Sequence, residues 1–249
     1  MKAERPHYDH RMHAGNAGDV WKHFILAEAA NYLLSKKKML AYAESHVGYP
    51  EYDLRIPGEW EGGIGRFWPH ISALDAFCYF RIIRDMNPHG LVCYPGSTDL
   101  VLQIAGMQGR HIDFEVWDID PDVAAAWHED SRVNFHLEDG FTQAQSILDR
   151  SPPGMILIDP PYVDENDIMQ ACNLLRSFEK AGWTVLRWQM AGLETALETR
   201  LKKYTLRFSD ADLECSRWPG ATVAVAGADA HLVRHLDTQV QRFLDLVYS

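Results

Sequence analysis

Ile156-Leu157-Ile158-Asp159-Pro160-Pro161-Tyr162 is an apolar run that ends abruptly in a carboxylate, two prolines and a tyrosine. Three consecutive aliphatic residues with no polar alternation fit a strand buried on both faces, as in a parallel sheet covered by helices. The stretch that follows can reshape an exocyclic amine. Such a nitrogen is a poor nucleophile because its lone pair is delocalised into the base. Asp159 can accept one of its N–H bonds and the Pro160 carbonyl the other, which pulls the nitrogen toward tetrahedral geometry. Proline has no N–H to compete and fixes φ, so the turn is stiff. Tyr162 offers a ring on which an extruded base can stack.

Outward from this stretch, short apolar runs alternate with helical patterns, the order expected of a parallel sheet between helices. The spacing predicts strands over 39–44, 113–118, 134–137, 155–159 and 183–188. Two further strands over 204–208 and 221–226 are close enough in sequence to form a hairpin at the sheet edge. A helix should begin at Asn16, a good N-cap with Asp19 in its first turn, run through Val20, Phe24, Ala27 and Leu34, and end in Lys36-Lys37-Lys38. Residues 50–95 break the alternation with Gly, Trp and aromatic residues and an amphipathic run near 71–86. They read as a mostly helical insertion within a single domain spanning 1–249.

The first four strands end in Glu44-Ser45-His46-Val47-Gly48, Asp118-Ile119-Asp120-Pro121, Glu138-Asp139-Gly140 and Asp159-Pro160-Pro161-Tyr162. In an open parallel sheet the carboxyl ends of the strands form the ligand crevice. Asp118, or Asp120 in its place, can accept from both hydroxyls of a ribose. Asp139 can accept from an adenine amine, and Gly140 lets backbone come close. Together with the amine-directed stretch, these residues describe a pocket for S-adenosylmethionine, whose sulfonium favours negative surroundings.

Composition narrows the classes. The 249 residues are 47% hydrophobic and 24% charged, with 24 Lys and Arg against 35 Asp and Glu and a net charge of −11. Such a chain is not a general nucleic-acid coat, whose affinity comes from neutralising phosphates, although Arg5, Arg11 and Lys22 could form a local basic rim. No run approaches the ~18 to 20 apolar residues of a bilayer span, and the polar start MKAERPHYDHRMH lacks a signal-peptide core. A cytoplasmic protein, without membrane contact and with a monomer favoured, is the expectation. Cys78, Cys93, Cys172 and Cys215 lie far apart and read as buried thiols rather than a zinc or disulfide framework. His7, His10 and His13 are spaced by three, but Gly15 and Gly18 follow at once, so a loop without metal is expected.

The motifs together resemble a known family. Tyr8-Asp9-His10-Arg11-Met12-His13-Ala14-Gly15-Asn16-Ala17-Gly18-Asp19-Val20-Trp21-Lys22-His23 is similar to the N-terminal YRHxFHAGNxADVxKH pattern of the bacterial ribosomal RNA large-subunit methyltransferase J family. The likeness continues in order through Glu44-Ser45-His46, Gly58-Glu59-Trp60-Glu61-Gly62-Gly63-Ile64, Tyr94-Pro95-Gly96-Ser97, Asp139-Gly140 and Asp159 to Tyr162. It departs at Tyr49 and Pro50, where the family has a small pair.

The resemblance implies a Rossmann-like class I methyltransferase fold with a helical insertion after the first strand. The implied activity is transfer of a methyl group from S-adenosylmethionine to the N6 amine of an adenine in 23S ribosomal RNA, with an RNA hairpin as partner. It makes His23, His46, Ser97, Asp118, Asp139 and Gly140 cofactor contacts, Asp159 with Pro160 and Tyr162 the catalytic group, and Tyr8 and Lys22 substrate-side contacts. A DNA adenine methyltransferase, or a protein linked to use of external DNA, would share the chemistry. A noncatalytic protein that binds nucleic acid or a partner would share only the fold.

Overall fold

The structure, a computed structural model, describes residues 10–192, 201–215 and 217–247. The strands are β1 (Met39–Glu44), β2 (Glu51–Asp53), β3 (Cys93–Pro95), β4 (His111–Asp118), β5 (Val133–Leu137), β6 (Met155–Ile158), β7 (Thr184–Met190), β8 (Lys202–Arg207) and β9 (Gly220–Ala226). The α-helices are α1 (Ala17–Lys36), α2 (Ile64–Phe67), α3 (Cys78–Met86), α4 (Ser97–Gln108), α5 (Pro121–Trp127), α6 (Gly140–Gln143), α7 (Glu165–Lys180) and α8 (Ala230–Val247).

Seven strands form one sheet in the order β5-β4-β1-β6-β7-β9-β8. The neighbours from β5 to β7 pair in parallel, while β9 runs antiparallel to both β7 and β8. The two last strands thus form the expected hairpin at the edge. This order, with its single reversed strand, is the Rossmann-like class I methyltransferase fold. Strands that are apolar without alternation, β6 (MILI) and β9 (GATVAVA), are buried at every position.

The pleat divides two cores. Tyr42, Leu157 and Leu186 face a large core containing α1, α3, α4 and α8, whereas Ala41, Ala43, Ile156, Ile158 and Val185 face a smaller one against α7. Because side chains alternate, Glu44, Asp159 and Trp188 share the parity of Tyr42, Leu157 and Leu186. The chemistry at the strand ends therefore points toward α1.

Asn16 caps α1, its Oδ1 accepting the Asp19 N–H at 2.9 Å. A single apolar stripe was expected on this helix, but Trp21, Ile25, Leu26 and Ala29 are buried as well as Val20, Phe24 and Ala27. The reason is its position: α3, α4, α8 and β9 all pack on it. Phe243 of α8 closes the cluster, 4.8 Å from Phe24 and 6.0 Å from Trp21 between ring centroids, and it stacks on Phe80 of α3 at 5.8 Å.

Residues 50–95 contain the β2–β3 ribbon, α2, α3 and two 3-10 segments. The amphipathic run near 71–86 is not one helix. A 3-10 segment ends at Leu74, and α3 restarts at Cys78 because Glu28 of α1 accepts the free Cys78 N–H at 3.0 Å. No helix among the described residues is long and apolar enough to cross a membrane. All four cysteines are free; Cys78 and Cys172 are buried, whereas Cys93 and Cys215, expected inside, are half-exposed.

Candidate functional site

The carboxyl ends of β1, β4, β5, β6 and β7, with the start of α1, enclose a cavity of about 570 Å³. Cavities of roughly 300 to 1,000 Å³ are the usual size for cofactor and small-ligand sites. His23, His46, Ser97, Asp118, Asp139, Gly140, Lys22, Asp159, Pro160 and Tyr162 all line it. Tyr8 and Arg5 fall outside the described residues.

Asp159 follows directly on β6 and meets α1 across the large core. Its Oδ2 lies 2.5 Å from Lys22 Nζ, which also pairs with Asp19 Oδ1 at 2.7 Å. Asp19 in turn accepts the Gly15 N–H at 2.9 Å, which ties the ion pair to the loop before α1. Lys22 is 5% exposed. Burial works to discharge its ammonium, but the carboxylates of Asp159 and Asp19 outweigh that and hold its pKa above the ordinary lysine value. Lys22 lines the cavity, buried rather than on an exposed basic rim. Its charge is spent inside the protein on two carboxylates.

Tyr162 has φ 51, one of two non-glycine residues with positive φ among those described. For a bulky side chain this conformation costs of order 1 to 3 kcal/mol and persists only where the surroundings enforce it. Here its hydroxyl donates to the Trp188 carbonyl at 2.5 Å, and its ring lies 6.0 Å from the Trp188 ring. The turn is closed beyond it by Asp167, whose Oδ2 accepts the Val163 and Asp164 N–H groups at 3.0 and 3.2 Å. Asp164 caps α7 reciprocally.

On the opposite side of β1, Asp118 accepts the Gly48 N–H at 3.1 Å and the Asp120 N–H at 3.0 Å. Burial raises its pKa above the usual carboxylate value. Asp120 caps α5, accepting the Asp122 N–H at 2.8 Å, and also lines the cavity. Gly48 has φ 63, and a Cβ there would stand 2.6 Å from the Tyr52 hydroxyl, so this bend of the altered loop demands glycine.

Asp139 caps α6 through the Phe141 N–H at 2.9 Å. Gly140 is required for a reason not foreseen: a Cβ would fall 1.9 Å from the Ser45 carbonyl oxygen, so its close approach is to backbone after β1. His46 bonds Ser45 Oγ through Nδ1 at 2.9 Å and lies edge-on to Phe141. His23 Nδ1 meets the Tyr94 hydroxyl at 2.9 Å, with its ring stacked on Tyr94.

Sequence reading passed over three features. Glu44, 1% exposed, accepts hydroxyls from Ser97, Thr98 and Tyr42. Burial pushes its pKa up to about 7 against the opposing pull of those hydroxyls and of Lys22. Trp188 borders the cavity with its buried Nε1 lacking a hydrogen-bond partner among the described residues, as does Asp167 Oδ1. Buried polar atoms left this way are uncommon and mark places where a ligand group can bind. Arg217 and Trp218, after β8, form another wall. Their only sequence signal is a basic and an aromatic residue before a Pro-Gly turn. No group of three or more potential metal ligands occurs among the described residues, and His13 pairs instead with Glu59 at 3.0 Å.

Comparison with known proteins places these residues in context. The family model described as Ribosomal RNA large subunit methyltransferase D, RlmJ, matches residues 37–186, a span holding every site residue from Glu44 to Tyr162. Ribosomal RNA large subunit methyltransferase J of Haemophilus influenzae is 32% identical over 173 residues, 64% of this chain and 60% of that protein. The protein of the same name from Escherichia coli is 32% identical over 172 residues, with the same coverage. The chain thus spans about 60% of the length of these curated relatives. Among solved structures, protein LPL1258 from Legionella pneumophila matches with a TM-score of 0.76 at 19% identity, covering 95% of this chain and 94% of that one, a likeness of fold.

Proposed function

Because the chain belongs to the RlmJ family of ribosomal RNA large subunit methyltransferases, we propose that it methylates the N6 amine of an adenine in 23S ribosomal RNA, using S-adenosylmethionine. The observation that carries this reading is the Asp159 carboxylate, fixed by Lys22 at the strand end of a cavity whose other strand ends are acidic. The residues suit the cofactor. Asp118 would accept from the ribose hydroxyls and Asp139 from the adenine amine, with Gly140, His23 and His46 around them. Ser97 Oγ donates its proton to Glu44, so toward a ligand it can only accept, which suits an amino group.

When bound, the cofactor supplies a methyl group on a positively charged sulfur. The protein's own part is to prepare the nitrogen. Asp159 accepts one amine N–H and the Pro160 carbonyl the other, and Lys22 holds the Asp159 carboxylate in place. The enforced backbone of Tyr162 presents its ring to the base beside them. The chain acts as one domain, with 50–95 as an inserted helical subdomain.

The test is transfer of labelled methyl to total RNA and to DNA, followed by nucleoside analysis. N6-methyladenosine in RNA is expected, with Asp159→Ala slower by about 10²-fold or more while cofactor affinity is kept. Wild-type turnover by that variant, or faster labelling of DNA, refutes the reading.

A further inference from the structure

The chemistry above leaves one wall of the cavity unused. Arg217 is exposed, and its guanidinium carbon lies 4.4 Å from the centroid of the half-buried Trp218 ring. Trp218 meets Trp188 edge-on at 6.0 Å. Both Arg217 and Trp218 line the cavity that contains Asp159. Their loop is anchored upstream, where the Glu214 N–H donates to the Gly62 carbonyl at 2.8 Å and the Glu214 carboxylate pairs with Arg66.

A surface arginine over a tryptophan is commonly packing and nothing more. Three observations set this pair apart. It faces the reaction cavity. Arg217 has no carboxylate partner among the described residues, in a chain of net charge −11. It also has a counterpart: Arg11 lies 5.8 Å over Tyr49 and borders the same cavity. Tyr49 follows β1, while Trp218 precedes β9; in the sheet these lie on either side of β6. The two cation–aromatic pairs therefore flank Asp159.

We propose that Arg217 and Trp218 form a nucleotide-binding subsite for the unpaired RNA residue next to the target adenine. The inference rests on the RNA reading above. A guanidinium backed by an indole is a flat, charged platform. A base can stack on its plane, and the adjoining phosphate gains a cation without a carboxylate partner among the described residues. Unstacked neighbours are what a loop or bulge offers and what a duplex withholds.

The test is fluorescence anisotropy with a fluorescein-labelled RNA stem-loop carrying one unpaired adenine. The comparison is the same stem-loop with abasic sites on both sides of that adenine. Wild type should bind the abasic loop roughly 5- to 100-fold more weakly, the range of one lost stacked base. Trp218→Ala should bind the intact loop more weakly by a similar factor and lose its discrimination between the two loops, while Trp218→Phe keeps most of it. Arg217→Gln should lower the slope of log affinity against log salt by about 0.7, the value for one phosphate of a single strand.

Calorimetry with S-adenosylhomocysteine should show unchanged affinity in each variant. If Trp218→Ala fails to fold, the abasic penalty in wild type and the salt slope of Arg217→Gln decide. Failure of wild type to bind the loop, an equal abasic penalty in wild type and Trp218→Ala, or tighter binding of duplex DNA overturns the subsite. Binding with the expected pattern but without methyl transfer overturns the proposed function and leaves the subsite standing. Methyl transfer with KM for RNA unchanged in Trp218→Ala overturns the subsite alone.

Discussion

Replacing Lys22 with methionine tests the centre of the site. The substitution keeps the length and apolar stem of the side chain but removes the ammonium from between Asp19 and Asp159, at 2.7 and 2.5 Å. Both carboxylates remain, and Asp19 is 4% exposed. Breaking a buried pair by deleting one partner costs about 3 to 5 kcal/mol, because the stranded charge keeps its desolvation penalty. For a chain of this size that lowers the melting temperature by roughly 10 °C.

The sign with pH follows from the wild-type ammonium. Its pKa is raised in the folded state, so its stabilisation is fully present below the ordinary lysine value and is lost only as pH rises through the higher folded one. Wild type therefore shows no loss from this group near neutrality. In the variant the two carboxylates are left without the ammonium between them, so the deficit is present at neutral pH. Urea unfolding of both proteins at several pH values measures this. Adding Asp19→Asn to the variant should recover part of the deficit. A cost below about 1 kcal/mol at neutral pH, the value for an exposed pair, would refute the argument that a buried triad holds Asp159.

Glu44 has a folded pKa raised to about 7 from 4.5, so the folded state holds its proton more tightly and stability falls as pH rises across that window. The fall is about 3 kcal/mol, and Glu44→Gln should flatten it in denaturant titrations between pH 4 and 8. Gly140→Ala forces a Cβ to within 1.9 Å of the Ser45 carbonyl; backbone must move, and calorimetry should show a lower melting temperature together with weaker cofactor binding. Asp118→Ala removes the proposed ribose acceptor and should weaken S-adenosylhomocysteine binding by about 1 to 3 kcal/mol. Unchanged affinity there would remove Asp118 from the site.

β1, β6 and β9 were legible because their residues are nearly all apolar without alternation. β1 begins and ends where its sequence pattern does, and the edge hairpin pairs the buried β9 with the alternating β8 across residues 208–219. The strand-end acids were legible for a related reason, since a carboxylate that ends a buried strand must emerge at the crevice. What the pattern could not show was pairing across long stretches of chain. Lys22 and Asp159 are 137 residues apart, so a lysine that looks like a rim cation is a buried counter-ion only once α1 is laid against β6. The restart of α3 at Cys78 depends on Glu28, 50 residues earlier. The all-round burial of α1 depends on α8, and no window of sequence contains both. Arg217 and Trp218 carry no periodic signal, because they sit in a loop.

The position of α1 also fixes an order of events during synthesis. This helix leaves the ribosome well before the segments that cover it, for its Trp21 indole donates to the carbonyl of Tyr204, 183 residues later, and Phe24 is covered by Phe243. Until β8, β9 and α8 have left the ribosome, a segment with aromatic residues on several faces has nothing to bury them against. Contacts of such span close slowly and leave apolar surface open to aggregation in the meantime. Lys22 sits on that same helix, so a nascent chain released short of α8 would have both an unfinished core and a carboxylate at β6 without its clamp. Assembly of the Lys22–Asp159 pair is thereby coupled to the synthesis of α8.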